Sequence, residues 1–156
     1  VAVGLFDKLF GKKQAPASPE DPNAIRGSVD SVTAFCSDIR RHLGDGVFAQ
    51  DGMEKQVLSA YAFGGVNVLS QQQGLTPPQA HAIMLAVLMK AFGYSPEDSA
   101  AKAQALITAT GDRRSSLNGI IHRGIDGFLA WQKDSSAFDA SDFRDVLATL
   151  RKFKPQ

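Results

Sequence analysis

An all-α fold, a compact bundle of about five main helices, is predicted by three features of this 156-residue chain. Apolar residues recur at spacings of three and four along most of its length, the period of a helix with one buried face. Helix starts and stops are written as short local signals, most densely between Gln73 and Gly111. No segment sustains period-two alternation with β-branched residues, so essentially no sheet is expected.

Gly4-Leu5-Phe6-Asp7-Lys8-Leu9-Phe10-Gly11-Lys12-Lys13 places Leu5, Phe6, Leu9 and Phe10 at helical spacing with cations beside and after them, the pattern of a short amphipathic helix. Residues 14–22 contain three prolines among Ala, Ser and acids and read as an extended tether. The organisation expected is therefore an amphipathic segment over 1–13, a Pro-rich linker over 14–22 and a single helical domain over 23–156. Asp21-Pro22 opens the first long helix, whose stripe of Ile25, Val29, Val32, Cys36, Ile39 and Leu43 faces a core. Arg40, Arg41 and His42 crowd its last turn, where cations complement the negative end of the dipole, and Gly44 can end it. Residues 44–51 form a loop with Val47 and Phe48 turned inward.

The next helix begins near Gly52 and runs through Val57, Tyr61, Val68 and Leu69 to Gly74. Gly64-Gly65 lies inside it and weakens it by about 1 kcal/mol per glycine relative to alanine, which the close approach of the helix from Pro77 would offset. That following helix starts at Thr76-Pro77-Pro78-Gln79, with a capping threonine, proline at the first position and a glutamine placed for a capping box. Apolar on nearly every side to Phe92, it is expected at the centre of the bundle. Gly93 supplies a left-handed stop, and Ser95-Pro96-Glu97-Asp98 restarts a helix that ends near Gly111. Asp112 caps the next helix, with Leu117, Ile121, Gly124, Ile125, Phe128 and Leu129 inside and Trp131 beside them. The last helix starts around Ala140-Ser141-Asp142 and carries Phe143, Val146, Leu147, Leu150 and Phe153 inward, until Pro155 forbids continuation.

The formal net charge of +1, from 17 basic and 16 acidic residues, provides no global field for nucleic acid or an anionic membrane. One cysteine cannot form an internal disulfide, and Cys36 falls on a core stripe, so it reads as a small buried residue rather than a nucleophile. No apolar run reaches the roughly 18 to 20 residues that span a bilayer. A cytoplasmic protein is expected, with at most weak membrane association through Leu5, Phe6, Leu9 and Phe10, since one short apolar face binds lipid only marginally. The residues from Pro77 to Thr110 have the spacing of a helix-turn-helix, but Glu97 and Asp98 at the leading end of its second helix have the wrong sign for DNA, and no nucleic acid partner is expected.

Signals for catalysis are sparse. His122 and Asp126 are four apart on one helical face with Asn118 a turn earlier, an arrangement open to acid–base chemistry that lacks further ligands for a metal. His81 reads as a neutral, partly buried side chain. No zinc-protease helix, nucleophile elbow or paired Cys-x-x-Cys occurs, and Gly11-Lys12-Lys13 fails as a phosphate loop because Phe6 takes the place of its first glycine. No cofactor, no metal and no enzymatic activity are expected. Arg113-Arg114 stands out because two cations at a helix start oppose the dipole, to be answered by an acidic partner or by Asp134, Asp139, Asp142 or Asp145. Arg113, Arg114, His122 and Asp126 are therefore the candidate partner-binding residues.

The opening from Gly4 to Lys13, followed by an all-α body containing Tyr61-Ala62-Phe63-Gly64-Gly65-Val66-Asn67, resembles the small all-α immunity proteins of bacterial polymorphic toxin systems. The resemblance covers most of the body and implies a cytoplasmic, non-catalytic protein that binds and neutralises one cognate toxin; it assigns no individual residue. A homo-oligomer is not indicated. The alternative expectation is a peripheral membrane or envelope-stress adaptor anchored by the N-terminal helix.

Overall fold

Small residues decide which helix lies at the centre. The computed structural model describes residues 22–153, so the amphipathic segment with Leu5, Phe6, Leu9 and Phe10, the linker up to residue 21 and the last three residues lie outside the described residues. Among the described residues there are six α-helices, where about five main ones were expected, and one 3-10 turn. They are α1 (Pro22–Leu43), the turn Asp45–Phe48, α2 (Met53–Gln73), α3 (Pro77–Lys90), α4 (Pro96–Thr110), α5 (Ser116–Lys133) and α6 (Ser141–Phe153). The all-α class is borne out.

Helix α2, not α3, occupies the middle. It is buried from Val57 to Ser70 except at Asn67, and it packs on α1, α3, α5 and α6. Its Ser59, Ala60, Ala62, Gly64 and Gly65 let neighbours come close on several sides. The closest neighbour is α5 rather than the expected helix from Pro77: a Cβ on Gly64 would lie 2.5 Å from the Ile125 nitrogen, and one on Gly124 would collide with the Tyr61 carbonyl. The two backbones touch, which only glycine permits. Helix α3 buries Gln79, Ile83, Met84, Val87 and Leu88 but leaves Leu85 and Ala86 half-buried and Met89 44% exposed. Much of its apolar circumference is alanine, which water tolerates, so the all-round pattern does not force it inside.

Phe35 is the hub of the core, although it stands outside the stripe predicted for α1. Fully buried, it stacks on Tyr61 (centroids 5.7 Å apart), meets Phe128 edge-on (5.1 Å) and touches the rings of Trp131 and Phe138. Burial of such a ring contributes about 1.5–3 kcal/mol, and each well-oriented aromatic pair about 0.5–1.5 more. Cys36 lies beside it in sequence, 1% exposed, and burial pushes its thiol up to about 12, against a smaller opposing effect of Arg40. It is inert, as its place on the stripe suggested.

The helix ends follow local chemistry. Thr76 and Gln79 form the capping box, the Ser95 side chain accepts from the Asp98 N–H at 3.1 Å, and Gly74 adopts the left-handed φ of 64° while the Leu75 N–H donates to the Ser70 carbonyl. Phe48 is buried and Val47 half-buried in the connection, as expected. Phe153, predicted on the inner stripe of α6, is instead 80% exposed, because the last turn runs beyond the core that Phe143, Val146 and Leu147 fill. No helix among the described residues is long and apolar enough to cross a membrane.

Candidate functional site

The outer face of α5, with the turns at its two ends, gathers the four residues singled out from the sequence. Its start differs from expectation. Asp112 does not cap the helix; its carboxylate accepts from the Arg114 N–H at 3.0 Å, and its carbonyl accepts from the Ser115 N–H. That local turn moves the helix start to Ser116, and Ser115 is the cap, its side chain accepting from the Leu117 N–H at 3.2 Å. Arg113 and Arg114 therefore sit in the turn just ahead of the cap rather than in the first helical turn, and the expected conflict with the dipole is reduced. Both are exposed and neither pairs with a carboxylate among the described residues.

His122 and Asp126 are exposed on the same helix with no hydrogen bond between them. Asn118 does not share their face. It is buried and donates from its amide to the carbonyls of Ala109 (3.0 Å) and Thr110 (3.3 Å), tying the end of α4 to α5. Beside His122, Arg123 turns toward α6, where its Nε donates to Asp142 Oδ1 at 2.9 Å and its Nη2 to the same oxygen. The other oxygen of Asp142 accepts from the Tyr61 hydroxyl at 2.8 Å. One carboxylate thus joins α2, α5 and α6, and it stands in the first turn of α6, where the dipole favours it. Burial first, and then the bond to Asp142, push the Tyr61 phenol far above its ordinary range, while the hydrogen bond to Asp142 raises the Arg123 guanidinium.

Past Asp126 the surface opens into a groove of about 540 Å³ lined by Asp126, Lys133, Asp134, Phe138, Asp139 and Asp142, among others. Asp134 accepts from the N–H groups of Ser136 (3.1 Å) and Ala137 (3.3 Å), and Asp139 from that of Ser141 (3.0 Å). For Asp134 the Ser136 hydroxyl, and for Asp139 the Ser141 N–H, is the main cause holding the carboxyl below the ordinary aspartate range. These groups stay ionised. The 18 residues of α5 span about 27 Å, with free cations at one end and a carboxylate groove at the other. Among the described residues no hydrogen-bond partner of His122 is seen, and the arrangement presents exposed charges of both signs along one helix.

The family model described as immunity protein 48 matches residues 25–151, from the first turn of α1 to the last of α6. The chain belongs to that family. No curated protein and no solved structure matches it. The immunity protein 48 match takes in all of α5 and both flanking turns, and with them Arg113, Arg114, His122 and Asp126. It confirms the resemblance to an immunity protein through the helical body alone, since Gly4 to Lys13 precede the matched residues. Asp142, expected among the carboxylates that could answer Arg113 and Arg114, instead pairs with Arg123, a residue the sequence does not single out.

Proposed function

We propose that this immunity protein 48 family member binds one cognate bacterial toxin in the cytoplasm and neutralises it by stoichiometric contact, without catalysing a reaction. The family match over residues 25–151 carries the reading. Arg113, Arg114, His122 and Asp126 form the contact surface, with Asp126 opening into the carboxylate groove. Support comes from their exposure and from the absence, among the described residues, of ion pairs that a partner would have to break. Charges held free in this way set specificity and encounter rate more than total affinity.

The test begins with capture of the partner from native cells on the tagged full-length chain. Expression of the captured domain alone should arrest growth, co-expression of the chain should restore it, and light scattering should give an equimolar complex. A captured domain that is harmless, or an arrest that persists although the complex forms, would overturn the reading.

A further inference from the structure

A second charged concavity lies where the ends of α1 and α3 meet the start of α2. It is a groove of about 420 Å³ lined by Arg40, Asp45, Phe48, Lys55, Lys90 and Phe92 with their neighbours. The Arg40 guanidinium stands over two rings, 5.3 Å from the Phe92 centroid and 5.9 Å from that of Phe48. Phe92 stacks on Tyr94 at 6.0 Å, and Tyr94 in turn carries Lys55 at 4.3 Å and Lys102 at 4.6 Å from its centroid. Arg40, Lys55 and Lys102 make no ion pair with any carboxylate among the described residues, and the buried Arg40 Nε has no acceptor. The neighbouring acids are otherwise engaged or exposed: Asp51 accepts from the Tyr94 hydroxyl at 2.7 Å, Asp30 pairs with Lys90 at 3.0 Å, and Asp45 and Asp98 are exposed.

Ring faces hold a cation in place without cancelling its charge as a carboxylate would. We infer that this groove, together with the face of Tyr94 beside it, is a docking site for an acidic segment of the protein partner, whose Asp or Glu carboxylates reach Arg40, Lys55 and Lys102. Three cations spread over the stacked rings of Phe92 and Tyr94 suit a segment with several carboxylates better than one free anion, and a net charge of +1 argues against nucleic acid. The inference rests on the reading that the chain acts by binding a protein, and adds a contact away from α5.

A capped peptide of Glu and Leu, titrated into the full chain at low salt and followed by amide NMR, tests it without any toxin. Shifts concentrated at Arg40, Phe48, Lys55, Phe92, Tyr94 and Lys102 are expected, and the same peptide with Lys for Glu should leave them still. Lys55→Glu with Lys102→Glu removes no ion pair among the described residues but two cation–π contacts on Tyr94, so it should lower the melting temperature slightly, keep the helical circular dichroism and weaken the acidic peptide by about tenfold or more. Shifts elsewhere, none at all, equal effects of the Lys peptide, or inorganic phosphate or a DNA duplex occupying the groove when the acidic peptide does not, would each overturn the proposal. Failure here would leave the growth assay untouched, so the two readings fall separately.

Discussion

Asp38 shows how one side chain couples two helices through charge. It accepts from the Trp131 indole N–H at 2.7 Å and pairs with Arg41 at 3.1 Å. Burial pushes its carboxyl up, but the bonds from Trp131 and Arg41 outweigh that and hold it below the ordinary value of 3.8. A carboxyl lowered in the folded state contributes stability that is complete above 3.8 and is lost as pH falls through the folded value. Trp131→Phe keeps an aromatic ring in the packing and deletes the donor. It should cost about 1 kcal/mol at neutral pH, discounted because Asp38 is partly exposed. Urea unfolding should show that difference shrinking once pH drops well below 3.8; a difference constant with pH would mean the loss is one of packing. Phe35 is the contrasting case, an effect with no pH dependence. Phe35→Ala opens a cavity among the rings of Tyr61, Phe128, Trp131 and Phe138 and should cost about 3–5 kcal/mol, read as a lower urea midpoint.

Between elements, the contact of α2 with α5 is the one where backbone meets backbone. Gly124→Ala would force a methyl into the Tyr61 carbonyl and should destabilise by about 3 kcal/mol or more, since neither backbone can yield without moving a whole helix. Gly119 is on the same helix but faces open space, so Gly119→Ala should instead stabilise by about 0.5–1 kcal/mol through helix propensity alone. Thermal melts of the two variants should move in opposite directions; a shared direction would refute the close approach. The two glycines also mark how far the sequence could be read. Most helix ends are legible because a cap involves residues two or three apart, as Thr76 with Gln79 and Ser95 with Asp98 demonstrate, while at α5 the choice between Asp112 and Ser115 falls to a local turn. The partner of Gly64 is not legible, because Gly124 lies far along the chain and only the folded molecule brings them together. Nor is the central helix, since the Gly, Ala and Ser that let α2 be surrounded look weaker on a hydrophobic scale than the Met and Leu of α3.

For the whole molecule, a net charge of +1 means that recognition at long range depends on where charges lie rather than on their sum. Arg113, Arg114, His122 and Asp126 can be picked out from sequence, but the clash of the arginines with a helix dipole is weakened by the Asp112 turn, which sets them ahead of the cap. The cations around Phe92 and Tyr94 were read only as dipole partners at the end of α1 or not singled out, because a ring beside a cation is a tertiary fact. What the fold adds is that the Arg113 and Arg114 side chains are exposed and make no ion pair among the described residues. Arg113→Glu with Arg114→Glu should therefore leave the unfolding free energy within about 0.5 kcal/mol of the parent. If this turn meets an acidic surface on the toxin, the same variant should slow association strongly in low salt, and raised salt should narrow the gap by screening charges over a length of about 10 Å. Surface plasmon resonance against the captured toxin domain separates the two rates. Unchanged association by a normally folded variant would remove this turn from the interface and leave recognition to His122, Asp126 and the carboxylate groove beyond them.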